Sequence, residues 1–82
     1  MTRAELRQKV VETLARVAPE INPDTLRSDM PFRDQVDLDS VDYLNFVIAL
    51  HGQLGVEVPE ADYARLASLN GAVEYLAPKL GM

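Results

Sequence analysis

Eighty-two residues make one domain, spanning 1–82, with material for a single modest core but too little to enclose a cleft of enzyme size. There is no cysteine, which excludes a disulfide framework, a thiolate zinc site and a thiol nucleophile and leaves apolar packing to hold the fold. The net charge of -5 is uneven: residues 1–33 hold five acids and six Lys or Arg, whereas residues 34–62 hold seven acids and no Lys or Arg. Such a surface repels nucleic acid and anionic membrane and draws basic partners.

In chain order, Thr2 and Glu5 fit a reciprocal capping box, and Leu6, Val10, Leu14 and Val17 recur at helical spacing. The spacing predicts an amphipathic first helix ending before Pro19, with Glu5–Lys9 and Glu12–Arg16 as favourably ordered i,i+4 pairs. Residues 19–39 carry Pro19, Pro23 and Pro31 among Asn, Asp and Ser, and read as a long first loop. A short helical turn is expected near Pro23 to Ser28, and Ile21, Leu26, Met30, Phe32, Val36 and Leu38 are the expected pins of the loop.

A second helix is expected from Ser40 to Leu54, with Gly55 as its stop. Pro59 suits the first position of a short third helix through Tyr63. Ser68 can cap a fourth helix, in which Leu69, Val73 and Leu76 recur until Pro78 ends it, with Gly71 as a weakening residue. Val56 to Val58 could be read as a strand, but three residues without a partner make nothing stable. The fold class is all-α: a four-helix bundle with a long first loop and a short third helix. The longest apolar run, Phe46 to Leu50, is far too short to insert in a membrane, and the chain opens on charged Arg3, Glu5 and Arg7, so a cytoplasmic monomer is expected.

The second helix carries two apolar faces when its residues are placed at 100° per step. Tyr43, Phe46, Val47, Leu50 and Leu54 form the expected core face. Val41, Leu44 and Ile48 form a second stripe on the opposite side, with Asn45 and Gly52 beside it. A small domain has little to bury on both sides of one helix, so the second stripe is read as a partner surface.

Ser40 stands at the start of this helix among Asp37, Asp39 and Asp42. Serine is a preferred N-cap and the aspartates suit the positive end of the helix dipole, so one reading is a cap and nothing more. A cap alone explains neither the acid excess nor the second stripe. Catalysis is not expected: the only histidine, His51, lies eleven residues on, about 16 Å along the helix, and no G-x-S-x-G elbow surrounds the serine. A calcium loop starting at Asp37 fails as well, because Asp42 stands where glycine is needed and Ile48 where glutamate is needed, so no metal site is expected. What remains is an exposed serine that another enzyme can modify.

Asp39-Ser40-Val41, set after a long loop and opening a helix, with Val56-x-Val58-Pro59 following, resembles the acyl carrier protein family over almost the whole chain. The resemblance implies that Ser40 bears a covalent 4'-phosphopantetheine arm donated by coenzyme A, whose thiol holds acyl groups as thioesters. It implies that the helix opened by Ser40 is the recognition helix, with Asp37, Asp39, Val41, Asp42, Leu44, Asn45 and Ile48 meeting partners. Those partners are a phosphopantetheinyl transferase and acyl-transferring or acyl-modifying enzymes with basic docking patches. The short third helix and the core facing it would border a cleft for an acyl chain. Val41 stands where the family's usual motif has leucine, no glycine occurs between Pro31 and Leu50, and Asn45, His51, Gly52 and Gln53 replace mid-helix glutamates. These departures point to a dedicated fatty acid or secondary-metabolite pathway. The alternatives are a carrier for aminoacyl or polyketide units and, from another class, an unmodified helical interaction module.

Overall fold

The computed structural model describes all 82 residues and is all-helical. Helix α1 (Arg3–Val17) starts at a closed capping box: Thr2 Oγ1 accepts from the Glu5 amide at 3.1 Å while Glu5 Oε1 accepts from the Thr2 amide at 2.9 Å. Hydrogen bonding to the carboxyl by the Thr2 amide, and then by the Thr2 hydroxyl, holds Glu5 below its ordinary range. Leu6, Val10 and Leu14 are fully buried, as their spacing predicts, and Thr13 joins them by donating its hydroxyl to the Lys9 carbonyl at 2.7 Å. The expected i,i+4 ion pairs do not close. Glu5 is committed to its cap, Glu12 accepts from the Gln8 amide, and the one ion pair in the chain is Arg27–Asp29.

The loop is ordered because its apolar residues, Met30 excepted, are pinned on the core and several of its polar groups are paired. Ile21, Phe32 and Leu38 are buried in the common core, and Leu26 and Val36 pack against it. The expected helical turn near Pro23 to Ser28 is only a turn at Pro23–Thr25, where Asn22 Oδ1 accepts from the Asp24 amide at 3.0 Å. The short 3₁₀ turn lies further on, at Phe32–Asp34, where burying Phe32 winds the chain. The Gln35 side chain bonds three backbone groups, at Arg27 twice and at Met30, and so staples the loop to itself.

Helix α2 (Ser40–Leu54) buries Phe46, Val47 and Leu50 and ends at Gly55, whose φ of 66° is the left-handed cap that glycine adopts without strain. Tyr43 and Leu54, also placed on the core face, are half-buried and pack against it. Val56 is buried and Val58 half-buried in an extended connection that pairs with no strand.

The third helix is a 3₁₀ helix over Glu60–Leu66, so it begins after Pro59 and runs beyond Tyr63. Pro59 has an extended ψ of 147° and precedes the helix, and the fully buried Leu66 carries it a further turn into the core. Helix α3 (Leu69–Lys79) is capped by Ser68, which accepts from the Gly71 amide at 3.1 Å. Pro78 lies inside its last turn and does not end it. The amide that proline lacks would have met the carbonyl of Glu74, an exposed residue, and Leu80 closes the helix on Leu76 and Ala77.

Helix α1 packs on both α2 and α3, and the 3₁₀ helix packs on α3. Leu6, Leu14, Phe32, Phe46, Leu50, Leu66 and Leu76 meet at the centre with no exposure, each worth about 1.5–3 kcal/mol relative to an exposed side chain. No helix is long and apolar enough to cross a membrane.

Candidate functional site

The start of α2 is built by two aspartates. Asp39 Oδ1 accepts from the Asp42 amide at 2.8 Å, and Asp42 Oδ2 accepts from the Asp39 amide at 3.3 Å, a reciprocal box made of acids. Asp39 is therefore the N-cap, and Ser40 is the first helical residue. Reading Ser40 as the cap is corrected by one position: the neighbouring carboxylate accepts the orphan amide and leaves the serine hydroxyl without structural work.

That freedom is unique among the aliphatic hydroxyls. Ser28 Oγ accepts from Arg7, Ser68 and Thr2 cap helices, and Thr13 and Thr25 donate to backbone carbonyls. Ser40 is exposed, and its hydroxyl makes none of the side-chain hydrogen bonds of the fold. His51 is exposed near the other end of α2, where its Nδ1 lies 3.0 Å from the Val56 carbonyl and so must carry the proton. The Ser40 hydroxyl is therefore open to an outside reagent.

Around Ser40, Asp37 and Asp39 are exposed and Asp42 is half-buried. Asp62, counted among the same acids, points elsewhere: it accepts from the buried Tyr75 hydroxyl at 2.7 Å and ties the 3₁₀ helix to α3. The second stripe is uncovered, with Val41 64%, Leu44 43% and Ile48 57% exposed, while Phe46, Val47 and Leu50 on the other face are buried. Asn45 is exposed beside the stripe. No group of three His, Asp or Glu side chains comes together as a metal site.

Beyond the stripe, a groove of about 480 Å³ runs between Val47, Ile48 and His51 of α2 and Val58, Pro59 and Tyr63 opposite, with Glu57 as its one acid. Sequence reading did not find the group that bridges this gap nearer to Ser40, where the Tyr43 hydroxyl donates to the Tyr63 carbonyl. Nor did it find the Tyr75–Asp62 bond, with Arg65 and Lys79 lying 4.8 and 5.0 Å from the Tyr75 ring centre. The partners are 20 and 13 residues apart, beyond any local pattern.

A small helical bundle that offers an exposed hydroxyl at the head of an acidic, apolar-striped helix has the build of a carrier, a protein on which other enzymes act. Comparison with known proteins gives the same class. Residues 5–76 match the family model described as "Phosphopantetheine attachment site". The chain is 30% identical over 76 residues to the acyl carrier protein of Lactobacillus johnsonii, covering 93% of this chain and 94% of that one. It is 27% identical to that of Chlorobium luteolum, covering 96% and 100%, and 31% identical to that of Campylobacter hominis, covering 88% and 85%. The chain belongs to the phosphopantetheine-attachment family of acyl carrier proteins. It is accordingly an acyl carrier with a covalently attached 4'-phosphopantetheine, in a family that works with phosphopantetheinyl transferases and acyl-handling enzymes.

Proposed function

We propose that Ser40 is the residue that bears the arm. The observation that carries this is the uncommitted, exposed hydroxyl of Ser40 beside two other serines whose hydroxyls are engaged in the fold. The Ser40 oxygen attacks the coenzyme A phosphorus that bears the pantetheine; the new Ser40 O–P bond forms as the pyrophosphate P–O bond breaks, adenosine 3',5'-bisphosphate leaves, and a base on the transferase takes the hydroxyl proton. The arm, once attached, contributes the thiol on which acyl groups ride as thioesters. Ser40 anchors it at the first turn of α2, where Asp39 and Asp42 hold the backbone still.

Asp37, Asp39 and Asp42 form the charged part of the docking surface, and Val41, Leu44, Asn45 and Ile48 the contact part. Basic partner enzymes are steered to the acids and bury the stripe. The protein performs no catalysis of its own, works as a cytoplasmic monomer and serves a dedicated fatty acid or secondary-metabolite pathway. The pathway assignment rests on the sequence of α2, where Asn45, His51, Gly52 and Gln53 leave its middle and end without acids.

Incubation of the apo-protein with coenzyme A and a broad-range phosphopantetheinyl transferase tests the attachment residue. The wild-type intact mass is expected to rise by one arm and that of Ser40→Ala to stay unchanged. An arm on the Ser40→Ala protein would assign the site elsewhere.

A further inference from the structure

One side chain spans the gap between α2 and the 3₁₀ helix. Tyr43 donates to the Tyr63 carbonyl, and its ring leans on Phe46 with centroids 6.2 Å apart. Phe46 in turn meets Phe32 edge to face at 5.5 Å. Phe46 and Phe32 are fully buried and Tyr43 is half-buried, so Tyr43 is the outermost of three linked rings that run from the core to the surface. Burial raises the Tyr43 hydroxyl above its ordinary value of 10.0, against the opposing pull of Arg33, and it stays a proton donor at neutral pH.

Two hollows adjoin the strut, one at Tyr43 and one at Tyr63. A hollow of about 280 Å³ is bounded by Arg33, Tyr43, Ala64 and Ala67. The larger groove, about 480 Å³, begins at Val47 and shares Tyr63 with the strut. Along α2 the order is Ser40, then Tyr43 one turn on, then Val47 about 10 Å from Ser40.

We propose that Tyr43 is the specificity-determining residue that fixes where this carrier's cargo lies. Resting on Ser40 as the point of attachment, the geometry has the strut close the gap, so that an acyl chain cannot pass between α2 and the 3₁₀ helix into the core. The chain is laid instead in the surface groove beyond Tyr43. Entry to the core would require room among Phe46, Leu50 and Leu66, which are packed without exposure, and interiors at that density do not open for a chain without losing contacts. Tyr43, half-exposed and leaning on Phe46, is the side chain whose removal would open such room from the surface. The groove has apolar walls in Val47, Ile48, Val58 and Pro59, but His51 and Glu57 also line it. A cargo lying there keeps polar substituents near water and polar side chains, so hydroxyl- or keto-bearing acyl chains fit it as well as plain ones.

The test loads the carrier from acetyl- and octanoyl-coenzyme A and verifies each arm by intact mass, so that a failure of attachment is seen before any cargo is placed. NMR shifts of the octanoyl form are then compared with those of the acetyl form. In the wild type, Ile48, His51 and Val58 are expected to shift and Phe46 and Leu66 to stay. In Tyr43→Ala the shifts are expected to move to Phe46 and Leu66. Tyr43→Leu, which keeps an apolar contact on Phe46 and loses the hydroxyl, gives the same comparison if the alanine variant does not fold. Shifts at Phe46 and Leu66 in the wild type would overturn the proposal, as would an octanoyl chain that leaves the groove unshifted. A folded Tyr43 variant with the wild-type pattern would overturn it too.

Discussion

Asp39 and Ser40 stand side by side, one bonded into the helix cap and the other free of it, and substitution can separate them. Asp39→Ala removes the acceptor for the Asp42 amide and is expected to cost about 1 kcal/mol in urea unfolding. Ser40→Ala removes a hydroxyl that makes none of the side-chain hydrogen bonds of the fold and is expected to change stability by less than about 0.5 kcal/mol. A loss for Ser40→Ala equal to that for Asp39→Ala would restore the serine to a capping role. One step round the helix, Leu44→Ala and Ile48→Ala should leave the unfolding midpoint nearly unchanged and weaken binding to an acyl-handling partner, which titration calorimetry would measure. The sequence made the exposed stripe legible because helical periodicity fixes faces. It could not choose between Asp39 and Ser40 as the cap, since both residue types cap well and a shift of one residue changes no apolar position.

At the scale of elements, the joint between the 3₁₀ helix and α3 is where local propensity misleads. Alanine normally favours a helix interior over glycine by about 1 kcal/mol, yet a Cβ at Gly71 would lie 2.8 Å from the Arg65 carbonyl oxygen and 3.0 Å from Ser68 Oγ. Gly71→Ala is therefore expected to destabilise by roughly 1–3 kcal/mol, as overpacking does, with the loss read as a lower urea midpoint. Glycine is at this position because backbone passes against it. The same joint should be sensitive to alkali. Burial first, then the bond to Asp62, raises the Tyr75 hydroxyl above 10.0 in the folded state. Folding thus favours the neutral phenol: its stabilisation is complete below pH 10 and is lost as pH climbs through the raised value. Urea midpoints taken from about pH 9 upward should fall for the wild type and fall less steeply for Tyr75→Phe; parallel curves would remove Tyr75 from the account. Helices α1 and α2 were legible as apolar stripes with start and stop signals at their ends. The turn at Phe32, the stapling by Gln35 and the 3₁₀ winding from Glu60 to Leu66 were not, because each depends on a partner elsewhere in the fold.

For the whole molecule, the proposed docking has charge and apolar surface act in sequence: acids would draw a basic partner in, and the stripe would be buried once it arrives. In that proposal the acid cluster would work through long-range field, so association should slow as salt shortens the screening length from about 10 Å at 0.1 M toward about 3 Å at 1 M. Replacing Asp37 and Asp42 by asparagine should slow association without changing its salt-independent part, as stopped-flow measurements would show. An association rate indifferent to salt would leave the stripe to act alone. The acid-rich middle of the chain was legible as a count, but the departure of Asp62 from that surface was not, since its partner Tyr75 lies in another helix.

All of this depends on one covalent attachment. Protein isolated from its own cells, digested and fragmented in a mass spectrometer, shows directly which residue carries the phosphopantetheine. The account predicts one arm, on Ser40, with Ser28 and Ser68 unmodified; an arm on either of those, or a protein bearing none, would contradict it.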